Sequence, residues 1–468
     1  MKVLLTHAYF LEEDTKEIEI MRPYVPLGIL SISAYLEQHG CNNEVFDSTF
    51  SSFNKLCQHL VEECPDVIAI YTNLMTKLNV LKIISFVRSD EQLKNAKVVL
   101  GGPEVRHHAE NLLNYGADVI VIGEGEETLL ELIDRFSLTK NISNELTGIA
   151  YLDESNTVIY TPERKLIRDI NDLPFPNRKK INIKIYVVAW KMKHGYSMLS
   201  VSTMRGCPYT CKWCSRAVYG GTYRRRKPLL VAQELLLLKK EYKPDVIWFV
   251  DDVFTINHKW LREFADEVNK LDAKIPYEVI SRADRMNEEV IQLLKESGCI
   301  RVWIGAESGS QKIIDAMDRR VNVKEVREII RLTRSYGMEA CTFIMLGYPG
   351  ERKEDIRETI HHLKESNPNL FTITIAYPIK GTPLYEETES RFYGQLDWAT
   401  STDRDIDFKR EYPRKFYEFG IRWVFNEVNL YKEWSGARNW KKIISYKSKS
   451  LAAQAAMWLQ SLKTVMSS

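Results

Sequence analysis

Short β-branched runs alternating with amphipathic stretches constrain this chain more than any other feature. Lys2–Thr6, Val67–Tyr71, Val98–Leu100 and Val119–Ile122 read as strands, and residues 28–39, 53–63, 78–88 and 127–136 carry apolar side chains at helical spacing between them. Apolar strands separated by such helices predict a doubly wound parallel sheet, Rossmann-like, with helices on both faces. The rhythm resumes with strand-like runs over 246–250, 277–280, 301–304, 342–345 and 372–375, and helical patterns over 229–242, 259–269, 288–297 and 323–336. Repeated βα units on that scale predict a barrel or part-barrel. The chain of 468 residues exceeds one ordinary domain. The expected division is a doubly wound domain over 1–140, a linker with a small hairpin over 141–190, a partial barrel over 191–389 and a helical region over 390–468.

In parallel sheets ligands bind outside the carboxyl ends of the strands, and the informative residues fall there. In the first domain these ends carry Tyr71-Thr72-Asn73, Gly101-Gly102-Pro103-Glu104 and Gly123-Glu124-Gly125-Glu126, and Pro26-Leu27-Gly28 opens the first helix. Glycines there let a ligand approach the backbone, although tight turns use them too. In the second region the ends carry Asp251 and Asp252, Arg282, Glu307 with Ser308, and Gly347 followed by Pro349-Gly350-Glu351.

Between the two regions lies Cys207-Pro208-Tyr209-Thr210-Cys211-Lys212-Trp213-Cys214. Iron–sulfur clusters are usually held by four thiolates, so three offered to a [4Fe–4S] cluster leave one iron open to a small molecule. A zinc knuckle is the alternative, but zinc sites usually pair two cysteines with a second pair downstream, and none follows Cys214. The other cysteines are scattered, which suits a reducing compartment. No run of 18 apolar residues occurs, and the N-terminus enters a strand without a cleavage site. These features predict a cytoplasmic protein. A net charge of +2 gives no sign of a nucleic-acid partner.

The Cys-x3-Cys-x2-Cys spacing, with Trp213 before the last cysteine and Ser202-Thr203-Met204-Arg205-Gly206 before the first, resembles the radical S-adenosylmethionine (SAM) superfamily. The resemblance implies that Cys207, Cys211 and Cys214 hold the cluster, that SAM chelates its open iron, and that reduction releases a 5′-deoxyadenosyl radical. A low-potential donor such as flavodoxin or ferredoxin would supply the electron. The resemblance also implies that the Asp251–Asp252 pair receives the SAM amino group, Arg282 its carboxylate and Glu307 its ribose, with Ser308, Gly347 and Trp213 completing the site. These pairings agree with the chemistry, since an ammonium seeks carboxylates and a carboxylate seeks a guanidinium fork. Loop salt bridges would use the same residues.

Over residues 1–140 the set Pro26, Leu27, Gly28, Thr72, Gly101, Gly102, Gly123, Glu124 and Gly125 is similar to the cobalamin-binding domain that precedes the radical SAM domain in one subgroup. The Asp-x-His-x-x-Gly motif that supplies a lower axial histidine in some cobalamin domains is absent. His7 lies near its place without the flanking residues. The subgroup includes enzymes that methylate unactivated carbons and enzymes, such as anaerobic porphyrin cyclases, that use the same pair of domains without net methyl transfer. Methylation is the first expectation and cyclisation, oxidation or rearrangement the second. Two rivals remain. Cys41, Cys57 and Cys64 would hold a second cluster in a tRNA methylthiotransferase, and a non-catalytic cobalamin-binding regulator would leave the three-thiol loop without a purpose.

Arg224-Arg225-Arg226-Lys227 reads as a solvated basic face. From residue 390 the chain is rich in aromatics, and 416–431 fits a helix laid over the barrel mouth. Residues 431–468 carry seven basic side chains, among them Lys463, against one acidic. Basic residues among Trp and Leu fit either a capping helix with a solvated edge or peripheral contact with an anionic membrane. The second would favour a lipid-like substrate over another small molecule.

Overall fold

The computed structural model describes residues 1–138, 142, 145–436 and 438–466. The expected boundary at 140/141 and the side chain of Lys463 lie outside the described residues. The first sheet contains β1 (Val3–His7), β2 (Glu44–Phe46), β3 (Val67–Tyr71), β4 (Lys97–Gly101), β5 (Val119–Val121), β6 (Ile149–Leu152) and β7 (Val158–Tyr160), in the order β2-β1-β3-β4-β5-β6-β7. Its first five strands are parallel, while β6 and β7 run antiparallel to their neighbours. The hairpin expected in the linker therefore extends this sheet.

Five helices flank it: α1 (Leu27–Gln38), α2 (Phe53–Glu63), α3 (Lys77–Ser89), α4 (Ala109–Tyr115) and α5 (Glu126–Ser137). Alternate strand residues explain the continuous apolar runs. Val67 and Ala69 of β3 join a cluster with Ile29 and Leu30 of α1 and Leu129 and Leu132 of α5. Ile68 and Ile70 point the other way, to Leu56 of α2, Ile84 of α3 and Leu112 of α4. Both faces are covered, as a parallel sheet requires. The order reverses between β1 and β3, which opens a crevice at their carboxyl ends.

The second sheet is an open run of six parallel strands: β8 (Met198–Val201), β9 (Val246–Phe249), β10 (Tyr277–Ser281), β11 (Cys299–Glu307), β12 (Glu339–Leu346) and β13 (Leu370–Ile375). Helix α6 (Ile183–His194) precedes it. Helices α7 (Pro228–Glu241), α8 (His258–Lys270), α9 (Glu288–Ser297), α10 (Val323–Ser335) and α11 (Lys353–Ser366) make the connections, a short helix, Gln311–Ala316, adding to the fourth. This is a (β/α)6 partial barrel.

Two long helices follow, α12 (Arg414–Ser435) and α13 (Trp440–Met466). Rather than spanning the barrel mouth, α12 packs on α11 and the open edge at β13: Phe425 stacks on Phe371 at 4.8 Å, and Lys364 pairs with Glu427 at 2.6 Å. Near its start, the Tyr417 hydroxyl donates to the Glu351 carbonyl at 2.8 Å. An amphipathic helix finds more apolar surface along an unpaired barrel edge than over a polar mouth.

Candidate functional site

The loop 206–214 leaves a two-stranded ribbon in which Arg205 and Met204 pair with Arg224 and Arg225. Gly206 turns it with φ +82°, and a Cβ there would collide with the Thr222 carbonyl. Backbone bonds then seat the loop. Lys212 N donates to Met317 O at 3.1 Å, and its carbonyl accepts from Leu384 N at 2.9 Å. Trp213 packs against Ile313, Met317, Met345 and Tyr348, which makes it an anchor of the loop.

Two guanidiniums face the thiol of Cys211, Arg282 Nη1 at 3.8 Å and Arg319 Nη1 at 3.6 Å. Two cations there can offset the negative charge that a bound cluster brings. Cys214 is pushed up to about 12 by burial and then by Asp252 and the other two thiols. Three thiols on one seated loop flanked by cations fit a metal cluster.

The strand-end residues divide by what they already bind. Asp251 is buried, and its Oδ1 accepts from Thr203 N at 2.7 Å and Met204 N at 3.2 Å. Its Oδ2 takes the Thr203 hydroxyl and lies 3.7 Å from Arg225 Nη2. It is a staple for the entry to the cysteine loop. Asp252 opens onto the cavity, where partial loss of water around its carboxyl raises it and Asp251 adds to the rise.

Arg282 is buried, with the Tyr209 ring 3.8 Å from its guanidinium carbon. It donates to Asp284 at 2.8 Å and to the Arg319 carbonyl at 2.8 Å. Glu307 sits at φ +63° beside a register shift between β11 and β12, with Arg319 Nη2 3.9 Å from its carboxylate. Burial raises its carboxyl and Arg319 opposes that rise. Ser308 turns away to Thr359 and Ser310. Gly347, at φ +76°, gives its N–H to Glu351 Oε2 at 2.5 Å and its carbonyl to Arg410 at 3.0 Å. Arg319 went unnoticed in the sequence because it follows a helix rather than a strand. The small Gly305, whose added Cβ would strike Arg319, is its only local signal.

One cavity of about 450 Å³ is lined by both halves of the molecule. Cys207, Cys214, Asp251 and Asp252 meet Leu27, Gly28, Gly101, Gly102, Gly123, Glu124 and Gly125 across it, and Tyr71, read in the sequence as a strand end but not as part of the cobalamin set, joins them. Pro26 and Thr72 are not among its lining residues. Thr72 is buried beneath Gly102, where φ is +109° and a Cβ would collide with the Thr72 carbonyl. Gly123, at φ +98°, faces the Val218 carbonyl at 3.8 Å from an added Cβ. Glycines at successive strand ends leave the backbone itself as one wall of the cavity, which fits a large planar cofactor laid over the sheet.

Glu124 spends both its oxygens. Oε1 accepts from Arg205 Nη1 at 2.7 Å, while Oε2 accepts from Arg224 Nη1 at 2.7 Å and Ile167 N at 2.7 Å. Arg205 also pairs with Glu126. Of the basic run expected at the surface, Lys227 is exposed, while the three arginines are drawn inward onto partners. Arg224 reaches the first domain. Arg225 stacks on Trp260 at 3.4 Å near Asp251, and Arg226 pairs with Glu234 of α7 at 2.7 Å. Buried guanidiniums need such partners.

His7 has both ring nitrogens engaged, Nε2 by Asp47 at 3.0 Å and Nδ1 by Tyr9 N at 3.2 Å, so it is spent on structure. Cys64 points its thiol at the Val61 carbonyl, and Cys57 lies within α2.

The profile of the Radical SAM superfamily matches residues 201–363, and that of the B12 binding domain matches residues 19–133. The chain is 28% identical over 368 residues to an uncharacterized methyltransferase of Pyrococcus horikoshii, covering 77% of this chain and 78% of that one. It is 27% identical over 404 residues to the anaerobic magnesium-protoporphyrin IX monomethyl ester cyclase of Cereibacter sphaeroides, covering 83% of this chain and 63% of that one. The cobalamin-dependent SAM radical enzyme OxsB, solved with aqua-cobalamin and SAM, shares the fold at a TM-score of 0.74 and 17% identity, over 98% of this chain and 72% of OxsB. The chain belongs to the radical SAM enzymes that carry an N-terminal B12-binding domain, and its cofactors are a [4Fe–4S] cluster, SAM and cobalamin.

Proposed function

We propose that this enzyme transfers a methyl group to an unactivated carbon of a small or lipid-like substrate. The observation that carries the reading is the single cavity shared by the cysteine loop and the glycine-lined strand ends. The bound cofactors would supply a hydrogen-abstracting radical and a methyl donor, and the protein would supply placement and exclusion of water. Cys207, Cys211 and Cys214 would hold the cluster, with Arg282 and Arg319 balancing the charge on Cys211. Asp252, whose acceptors are free of the loop, would receive the SAM ammonium, and Asp251 would hold the loop in place. Glu307 faces Arg319 and would meet the ribose from the strand end. Gly28, Gly101, Gly102 and Gly123 would form the floor under cobalamin. A flavodoxin or ferredoxin is the proposed reductant. Among the described residues no helix is long and apolar enough to cross a membrane, so any membrane contact would be peripheral, through the basic C-terminal region.

The similarity to a cyclase favours a second reading, radical cyclisation or oxidation without net methyl transfer. Counting products separates them. Anaerobically reconstituted, reduced protein is incubated with SAM, cobalamin and panels of lipids, tetrapyrroles and peptides. Methyl transfer yields S-adenosylhomocysteine together with 5′-deoxyadenosine in proportion to product. Turnover that yields deoxyadenosine alone removes the methylation reading and leaves the cyclase one.

A further inference from the structure

Helix α13 has two apolar faces, and packing accounts for one. Ile443, Ser450, Ala453 and Met457 are buried, and Ser450 donates to Glu427 of α12 at 2.7 Å. On a wheel of about 100° per residue, Trp440, Ile444, Leu451, Trp458 and Leu462 fall within about 40° of one another, roughly a third of a turn from the buried face. They are exposed by 61%, 64%, 54%, 57% and 37%. The stripe extends over 23 residues, about 33 Å at the helical rise. Trp434, 53% exposed at the end of α12, lengthens it by packing edge-on against Trp440, with ring centroids 5.8 Å apart.

Charge identifies the occupant. The chain carries +2 overall, and residues 431–468 carry a local excess of six positive charges, so the remainder is net −4. On the wheel Lys447 and Lys441 flank the stripe on either side, and both are exposed. Long lysine stems can lie along apolar surface while their heads reach phosphate. Aromatic and aliphatic side chains in a row, bordered by lysines, match a helix lying in the headgroup boundary of a bilayer. A second copy of this chain would set the same basic surfaces against each other.

We propose that α13 docks the enzyme on an anionic lipid surface, with the Trp440–Leu462 stripe seated at the acyl boundary and the lysines on lipid phosphates. This deepens the reading of peripheral contact and does not depend on which reaction the enzyme performs. The test is flotation of the full-length protein with vesicles of phosphatidylcholine alone and with one quarter phosphatidylglycerol. Expected are binding to the anionic vesicles only, weakened by 0.5 M salt, and a loss of about tenfold in Trp440→Ser/Leu451→Ser/Trp458→Ser at unchanged helicity, as interfacial burial scales with apolar area. Lys441→Gln/Lys447→Gln, which leaves the packing intact, should bind anionic vesicles more weakly than the parent. If the parent floats and the stripe variant floats equally well, the stripe assignment fails and peripheral contact stands. If the parent does not float, both fail. A parent that is dimeric in light scattering and becomes monomeric in the stripe variant would assign the face to a second copy and overturn the proposal.

Discussion

Asp251 and Asp252 are adjacent carboxylates with opposite commitments. Asp251 has accepted two backbone N–H groups and a hydroxyl from Thr203 and Met204, so its removal unpins the residues that lead into Cys207. Asp252 holds no such partners and faces the cavity. Asp251→Asn keeps the shape and loses the charge opposite Arg225, and we expect iron and sulfide content after reconstitution to fall several-fold. Asp252→Asn should load iron normally and bind SAM about tenfold more weakly, the scale of one charge-assisted hydrogen bond. Equal iron content in both variants would contradict the division. The sequence placed both carboxylates at a strand end, which the period of the pattern makes legible. It could not show which one the chain itself consumes, because that depends on where residues 203–204 return. The same holds for His7, which lies at the end of β1 but has its nitrogens taken by Asp47 and the Tyr9 backbone.

At the scale of elements, the loop after β4 is clasped by the segment 397–405. Lys77 of α3 donates to the Trp398 carbonyl at 2.8 Å, and the Trp398 indole donates to His108 Nδ1 at 3.0 Å. His108 Nε2 lies 3.5 Å from Glu104 and 3.8 Å from Asp403, with Lys380 and His107 nearby. Burial pushes Glu104 from 4.5 to about 7, with Asp403 adding to the rise and Lys77 opposing it, and burial drops His108 from 6.5 to about 3. Folded Glu104 therefore holds a proton that the unfolded chain releases above pH 4.5. Its contribution is complete below 4.5 and is lost as pH rises through 7. His108 runs the other way: its contribution is complete above pH 6.5 and is lost as pH falls toward 3. Glu104→Gln should accordingly melt higher than the parent at pH 8, by an amount on the order of 1–3 kcal/mol. That advantage should vanish near pH 5, and a constant difference between the two pH values in thermal denaturation would refute the assignment. This clasp was illegible in the sequence because its halves lie about 300 residues apart, whereas α2 and α9 were legible residue for residue from their periodicity. β2, with three residues, and α4, with seven, are too short to show a period. The hairpin β6–β7 was visible, but its attachment to β5 was not, since pairing partners leave no mark on an isolated strand.

The whole molecule is two sheets whose carboxyl ends face one cavity, and the relative placement of those ends is held by buried charge. Glu124 of the first domain accepts from Arg205 and Arg224, the two sides of the ribbon that carries the cysteine loop. Nε and Nη2 of Arg224 are buried without partners, so that guanidinium relies on Glu124 and the Ile167 carbonyl. Removing one member of a buried ion pair leaves the other uncompensated, at a cost of about 3–5 kcal/mol. In Glu124→Gln the carboxylate that ties the ribbon to the first domain loses its charge, while Glu126 still holds Arg205. The cysteines are untouched, so iron content should stay within about a quarter of the parent's, the cluster being set by its own thiolates. What should change is the distance between the cofactors. Reduced cluster and cob(II)alamin are both paramagnetic, and their dipolar broadening in electron paramagnetic resonance reads their separation. The parent is expected to show that broadening at one value, and Glu124→Gln a weaker or spread one. Glu127→Gln, which alters only an exposed partner of Arg164, should leave it unchanged. If the broadening survives in Glu124→Gln, the two domains are registered by their apolar contacts and the ionic ties are secondary.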